Sequence, residues 1–388
     1  MIYEAGALSG QDLEVLARIE ALREELRFHL REPRRWYGTL RRATMARALQ
    51  GSNSIEGYHA SVEDVAALME GEEPLGLDEE TRQAIAGYRD AMTYVLQLTA
   101  AGASVLLDES LLRSLHFMML KYDLNKHPGQ WRPASIWVED EAGRVVCTAP
   151  ERSALEPLIR ETLDQLNTSG GPTMIRAAMA HLNLVLVHPF SDGNGRMARC
   201  LQSFVLAADG VLSPEFLSIE EYLGRNTAAY YEALTAMAEG TWSPKRSAAS
   251  WVRFSLVAHF RQAHTVLRRI REFEALWNGC DRLVTKHRLP ERSIGALCDA
   301  ARGWKLQRSL YVKLARSASG EPISEETGTR DLKALADAGL LSPIGEKRGR
   351  RYERSDVLAE VWNQIRAQRA ARSEIDPYAA DQPRLPGF

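Results

Sequence analysis

Twelve consecutive residues constrain this chain more than any other stretch: His188-Pro189-Phe190-Ser191-Asp192-Gly193-Asn194-Gly195-Arg196-Met197-Ala198-Arg199. The run Leu182 to Phe190, with Asn183 and His188 inside it, reads as a buried helix end. Pro189 prevents simple continuation of that helix. Gly193 and Gly195 permit left-handed backbone and let the main chain approach a ligand closely. Successive N–H groups around Gly-Asn-Gly form an anion nest. The next helix begins there, and its N-terminus adds partial positive charge. Arg196 and Arg199 share one face of that helix, and guanidinium forks suit phosphate oxygens. Asp192 is a poor neighbour for phosphate unless a cation lies between them; Mg2+ bridging carboxylate and phosphates resolves the conflict. His188, with an unperturbed pKa of about 6.5, suits a general base toward a hydroxyl. A Gly-rich helix–helix turn with surface arginines and a packed histidine would not require all these groups in one loop.

The rest of the chain reads as mostly α. Leu13, Leu16, Ile19, Leu22, Leu26 and Leu30 recur at helical spacing among charges. Further helices are predicted through Leu40–Leu49, from Ser61 with Asp64 in a capping-box pattern, and over Thr81–Leu98, Glu109–Tyr122, Leu155–Leu166 and Met174–Val187. Others follow at about Gly195–Ala208, Ser218–Ala238 and Ala248–Trp277. Between them, Ile136-Trp137-Val138 and Val145-Val146-Cys147 flank Glu141-Ala142-Gly143, which predicts a β-hairpin closed by Pro150. From about Leu289 come helices at Ile294–Ala301, around Leu306–Ala315 and at Ser324–Ala338. A two-stranded wing over Ile344–Glu353 completes the outline of a winged helix-turn-helix domain. The tail from roughly Arg372 is rich in Pro, Asp and Gly and is predicted to be poorly ordered.

The chain has 388 residues, enough for two or three domains. Its formal net charge of −2 argues against a protein that is basic overall. The four cysteines show no CxxC pairing, which disfavours a metal cluster or disulfide framework and fits a reducing compartment. No apolar run approaches the roughly 18–20 residues of a membrane span, and Met1–Gln11 does not read as a leader. A cytoplasmic protein with no membrane partner is the expectation.

The twelve-residue run resembles the signature of the Fic family, His-x-Phe-x-Asp/Glu-Gly-Asn-Gly-Arg-x-x-Arg, at every fixed position. His181, Gly129 to Arg132, the hairpin ending at Pro150, Asn226 with Tyr230-Tyr231, and Thr241-Trp242 extend the likeness over roughly Leu111 to Ala263. The resemblance implies a Fic-type helical core with a β-hairpin flap. It implies transfer of AMP from Mg-ATP to a Ser, Thr or Tyr hydroxyl of a target protein. Carried over, His188 is the base, Asp192 the Mg2+ ligand, and Gly193, Asn194 and Gly195 the phosphate nest. Arg196 and Arg199 would hold the outer phosphates, and Asn226 and Tyr231 would border the adenine. Relatives resembling the Doc toxins carry lysine at the position of Gly195 and act as kinases, so glycine here favours AMP transfer. The edge of the flap, about residues 136–150, would pair with an extended target segment.

Ser52-Asn53-Ser54-Ile55-Glu56-Gly57 resembles the family's inhibitory pattern, Ser/Thr-x-x-x-Glu-Gly/Asn. Ser52, Glu56 and Gly57 would form a built-in brake in which Glu56 pairs with Arg199 in bidentate geometry. The expected organisation is an N-terminal helical region carrying the brake (1–100), the catalytic core (101–245), connecting helices (246–283), the winged helix (284–360) and the tail (361–388). Thr327, Thr329, Arg330 and Lys333, with Lys347, Arg348, Arg350 and Arg351 of the wing, make DNA a candidate partner. Protein docking or dimerisation is the alternative use of such a module, and family members of this layout often form homodimers. A DNA-binding nucleotide sensor, removal of AMP at the same site, and donors such as UTP, GTP or a phosphocholine compound stay open on sequence alone.

Overall fold

The computed structural model describes all residues except 31–33, 75, 101–104, 140–144, 169, 210–217, 320, 347–349, 370–374 and 380–388. Its centre is a helical hairpin, α7 (Thr173–Val187) and α8 (Asn194–Ala208), joined by the signature loop. Both helices are buried on almost every face: α7 is largely apolar, whereas α8 also buries Arg196, Arg199, Gln202 and Ser203. Around them pack α2 (Tyr37–Ile55), α4 (Glu79–Ala100), α5 (Glu109–Leu120) and α6 (Leu155–Thr168). The long α11 (Ala249–Lys286) lies against α7 and also against α1 (Gly10–Leu30). Trp251 of α11 donates its indole N–H to Ala178 O at 2.8 Å, giving a buried aromatic its one polar partner.

The chain start is stitched into this core. Tyr3 N donates to Asn183 Oδ1 at 2.8 Å and Asn183 Nδ2 donates back to Tyr3 O at 3.0 Å. Asn183, polar inside an apolar run, thereby satisfies both main-chain groups of Tyr3. The short α3 (Val62–Met69) begins with the capping box expected at Ser61 and Asp64.

Two predicted elements come out differently. The helix expected over Ser218–Ala238 is two helices, α9 (Glu220–Arg225) and α10 (Thr227–Ala238), broken at Asn226. The hairpin of β1 (Trp137–Glu139) and β2 (Val145–Thr148) is not an isolated ribbon: β3 (Gly240–Thr241) pairs with β2 in parallel. The flap is thus tied to the end of α10, and β1 is the outer strand in the order β1-β2-β3. The predicted turn Glu141-Ala142-Gly143 lies outside the described residues.

The C-terminal unit contains α12 (Ile294–Ala301), β4 (Leu306–Gln307), α13 (Arg308–Ser319) and α14 (Glu325–Asp337). The antiparallel strands β5 (Leu341–Ile344) and β6 (Arg351–Arg354) follow, with β6 in the middle of the sheet. Lys347 and Arg348 lie outside the described residues. Two basic side chains on the exposed surface are engaged, Arg308 by Glu325 at 2.7 Å and Lys333 by Asp337 at 2.5 Å. The unit grips the N-terminal helices: Arg42 of α2 is paired with buried Asp299 of α12, and Lys313 donates to Glu70 O at 2.6 Å. The last helix, α15 (Asp356–Ala367), crosses the boundary expected at 360. Part of the tail expected to be loose is held: Tyr378 OH donates to Asp12 Oδ1 at 2.8 Å, and Arg261 Nε donates to Ile375 O at 3.1 Å. Its Pro and Gly content hid these polar anchors. Among the described residues no helix is long and apolar enough to cross a membrane.

Helices α2 and α9 cross at glycines. A Cβ on Gly51 would sit 2.5 Å from Glu220 O, and one on Gly224 would sit 2.5 Å from the Gly51 Cα. Backbone cannot yield as a flexible side chain does, so Gly51→Ala is expected to destabilise the fold by about 1–3 kcal/mol. Urea unfolding checks this, with Gly10→Ala, which meets no atom within 4 Å, as the control that should not show such a loss.

Candidate active site

Helix α7 ends at His188, whose N–H bonds Leu184 O at 3.0 Å while its backbone turns left-handed at φ 52°. A side-chain-bearing residue adopts that conformation only when its surroundings hold it there. Arg132 does much of the holding. Its main-chain N–H donates to Pro189 O and its Nε to His188 O, both at 2.9 Å. The rest of its guanidinium donates to Ala134 O at 2.6 Å and Pro150 O at 2.5 Å, the two roots of the flap. One buried arginine therefore fixes the flap and the histidine relative to each other.

The His188 ring is half-buried, and its Nδ1 lies 3.1 Å from Val185 O. A carbonyl oxygen only accepts, so Nδ1 carries the proton and the neutral ring keeps its lone pair on Nε2. Burial and then the Arg132 charge hold its pKa below the usual 6.5, against the Val185 hydrogen bond and the Glu56 and Asp192 charges.

The loop closes on itself. Asn194 Oδ1 accepts Phe190 N–H and Asn194 Nδ2 donates to Phe190 O, both at 2.9 Å. Asn194 thus acts as a bracket across the turn. Gly193, at φ 76°, starts α8 and donates its N–H to Asp192 Oδ1 at 2.6 Å. Asp192 is 41% exposed in its side chain, and its Oδ2 lies 3.3 Å from Lys126 Nζ.

Beneath the loop, His116 of α5 stacks on Phe190 with ring centroids 3.7 Å apart. Its Nδ1 accepts Gly129 N–H at 2.8 Å, so its Nε2 donates to Asp192 O at 3.0 Å. His181 of α7 links helices in the same manner: Nδ1 donates to Gln202 Oε1 at 2.6 Å and Nε2 accepts from Tyr230 OH at 2.9 Å.

Arg196 and Arg199 are each 1% exposed. The Arg196 guanidinium stacks 5.0 Å from the Tyr58 ring centroid. Its Nε and Nη1, and Nη1 of Arg199, are buried without a hydrogen-bond partner. Buried cationic donors in that condition are costly, and an anion with several oxygens would satisfy them. Arg199 Nη2 meets Glu56 Oε1 at 2.7 Å. The pairing is single rather than bidentate, because Ser52 takes the other side: Arg199 Nε donates to Ser52 Oγ at 2.7 Å and Nη2 to Ser52 O at 3.0 Å. Gly195 makes room for Glu56, since a Cβ there would lie 2.4 Å from Glu56 Oε1.

Of the residues singled out in the sequence, His188, Asp192 to Arg196, Arg199, Ser52, Glu56 and Gly57 gather at one place. Tyr231 borders it, donating its hydroxyl to Ile55 O at 3.3 Å at the end of α2. Asn226 directs its amide to Tyr222 O at 2.7 Å, across the break between α9 and α10. The roles of His116, Lys126 and Tyr58 went unnoticed; they are remote in sequence from the signature or follow the brake motif, and only the fold brings them to the loop.

With this geometry in view, the relatives fall into place. The sequence model of the Fic/DOC family matches residues 106–206. The chain is 38% identical over 109 residues to the protein adenylyltransferase fic-1 of Caenorhabditis elegans, covering 27% of this chain and 19% of that one. It is 30% identical over 165 residues to the protein adenylyltransferase Fic of Nematostella vectensis, covering 41% and 36%. The chain thus spans about a fifth of the former relative and little over a third of the latter. In structure it is similar to a Fic family protein from Desulfovibrio desulfuricans G20, with TM-score 0.58, 20% identity and coverage of 91% of this chain and 99% of that one. A Fic-1 fragment from C. elegans gives TM-score 0.54 at 22% identity, covering 67% and 73%. Residues 106–206 thus resemble the Fic/DOC family, within a mostly helical fold shared with these neighbours.

Burial depresses the pKa of His116 to about 4 and of His181 to about 3. Unfolded, both titrate near 6.5. Between those values the unfolded chain binds more protons, so stability falls as pH drops from about 6.5 toward 4. Urea midpoints measured across that range should decline with acid, and His181→Gln should flatten the slope.

Proposed function

We propose that this chain is a protein adenylyltransferase that moves AMP from Mg-ATP to a hydroxyl of a target protein and is held inactive by its own Glu56. The observation that carries the reading is the pair of buried arginines facing the nest with unpartnered N–H groups, one of them closed off by Glu56. The relatives described as adenylyltransferases support the reaction class.

In this mechanism His188 Nε2 takes the proton of the target hydroxyl. The freed oxygen attacks the α-phosphorus, its bond to AMP forms, and the bond to pyrophosphate breaks. Main-chain N–H groups at the start of α8 hold phosphate oxygens against the helix dipole, and Arg196 and Arg199 hold the outer phosphates. Asp192 fits Mg2+ as the single protein carboxylate, the usual arrangement when substrate phosphates and water complete the shell. Among the described residues no group of three or more acidic, His or Cys side chains forms a protein-only cage. The ion supplies neutralisation of phosphate charge. β1, at one end of the sheet, offers its edge to an extended target segment. Arg132 keeps that edge in register with His188. Tyr231 borders the base once the end of α2 withdraws, and Asn226 orients the helix that carries Tyr231.

The brake works by substitution of one anion for another. Arg199 is too deeply buried to lack a counter-charge, so Glu56 and the outer phosphate are alternatives. Residues 284–360, read as a winged helix, grip α2 at the end opposite the brake in this proposal, in a cytoplasmic protein.

Wild type, Glu56→Gly and Glu56→Gly/His188→Ala are incubated with Mg2+ and α-labelled ATP, and label on protein is counted. Glu56→Gly is expected to raise labelling at least tenfold, and the double variant to lose it by the 10²–10⁴-fold typical of a missing general base, roughly. Equal labelling in all three rejects the reading. Because burial lowers the His188 pKa, the Glu56→Gly rate should stay level from pH 8 to about 6.5 and fall only below the ordinary histidine range. An inflection above 7 would rule out His188 as the base in this environment.

A further inference from the structure

Helix α2 ends in a Schellman motif. Tyr58 N–H donates to Asn53 O at 3.1 Å and Gly57 N–H donates to Ser54 O at 3.2 Å, with Gly57 at φ 85°. The motif makes Glu56 and Tyr58 parts of one turn that moves with the helix end. Glu56 reaches Arg199, while Tyr58 reaches the other charged groups of the loop.

The Tyr58 ring covers the Arg196 guanidinium at 5.0 Å. Its hydroxyl accepts from Lys126 Nζ at 3.0 Å, and that ammonium lies 3.3 Å from Asp192 Oδ2. The other Asp192 oxygen is taken by Gly193 N–H at 2.6 Å, so Oδ2 is the atom that faces a cation. Glu80 at 3.1 Å and Tyr122 at 3.5 Å complete the surroundings of Lys126. Lys126 sets a positive charge against the carboxylate of Asp192.

Resting on the transferase reading above, we propose that Tyr58 is a positioning residue and the second arm of the brake: it holds Lys126 on Asp192, so that the protein's own ammonium competes with the divalent ion for that carboxylate. Glu56 closes the phosphate end of the site and Tyr58 closes the metal end. Both ride on the same helix cap, so one displacement of α2 frees both. Linkage then requires reciprocity: whatever draws the helix end away tightens metal binding, and metal binding favours withdrawal of the helix end.

The test uses the full chain without nucleotide and Mn2+ as the probe, with free ion read by electron paramagnetic resonance. Asp192→Asn defines the signal from the loop. Lys126→Met is expected to bind Mn2+ roughly three- to tenfold more tightly than wild type, the scale of removing one charge beside a divalent ion in partly screened surroundings. Tyr58→Phe, which keeps the ring on Arg196 and loses the hydroxyl, should shift the affinity the same way by less. Lys126→Gln, closer in polarity, repeats the measurement should the methionine variant melt early. Unchanged affinity in the lysine variants overturns the competition. A shift in those variants with none in Tyr58→Phe or Tyr58→Ala overturns the role of Tyr58. Labelling by Glu56→Gly is scored separately: a silent Glu56→Gly with tighter Mn2+ binding in Lys126→Met removes the transferase reading and supports the competition at Asp192.

Discussion

A guanidinium buried to 1% exposure must be answered by negative charge or by several acceptors, and Arg199 is the group around which the rest of this structure is arranged. Ser52 and Glu56 answer it from one side. From below, buried Glu220 contributes field; burial pushes that carboxyl up to about 7, and the Arg199 charge opposes the shift. Glu220 belongs to α9, which is pressed onto α2 at the Gly51–Gly224 crossing and holds Ser203 Oγ of α8 at 3.0 Å. The arginine, the helix that restrains it and the helix that carries it are thus one packed unit.

A second centre of order is the loop itself. His116, Asn194 and Arg132 each give two or more hydrogen bonds to main chain around it. None of these contacts needs a ligand to form. The cost of shaping the loop falls on folding. Depressed histidine pKa values at 116 and 181 belong to the same design, since a neutral ring can both donate and accept where a charged one would only donate.

Much of this was legible in the chain as written, and the limits were physical. The loop was legible because histidine, carboxylate, glycines and arginines lie within one twelve-residue run, so local geometry nearly determines their meeting. The end of α2 was less so: Gly51, Ser52, Asn53 and Ser54 are weak helix formers, and the helix predicted to stop near Leu49 runs to Ile55 because packing against α9 overrides propensity. β3 was invisible, being two residues long with no periodicity to read. The break at Asn226 was masked by apolar spacing that continues on either side. Contacts made by Lys126, Arg132 and Glu220 depend on which helices meet, and no spacing in a single chain specifies that.

Gly195 joins two parts of the structure that would otherwise be separable. The position lies in the first turn of α8, against both the Arg199 guanidinium and the Glu56 carboxylate. Any side chain introduced there would meet the Glu56 carboxylate, which would have to shift from its place on Arg199. The absent side chain at 195 is thus what lets the end of α2 close over Arg199, so the loop and the helix that covers it depend on one and the same hydrogen atom.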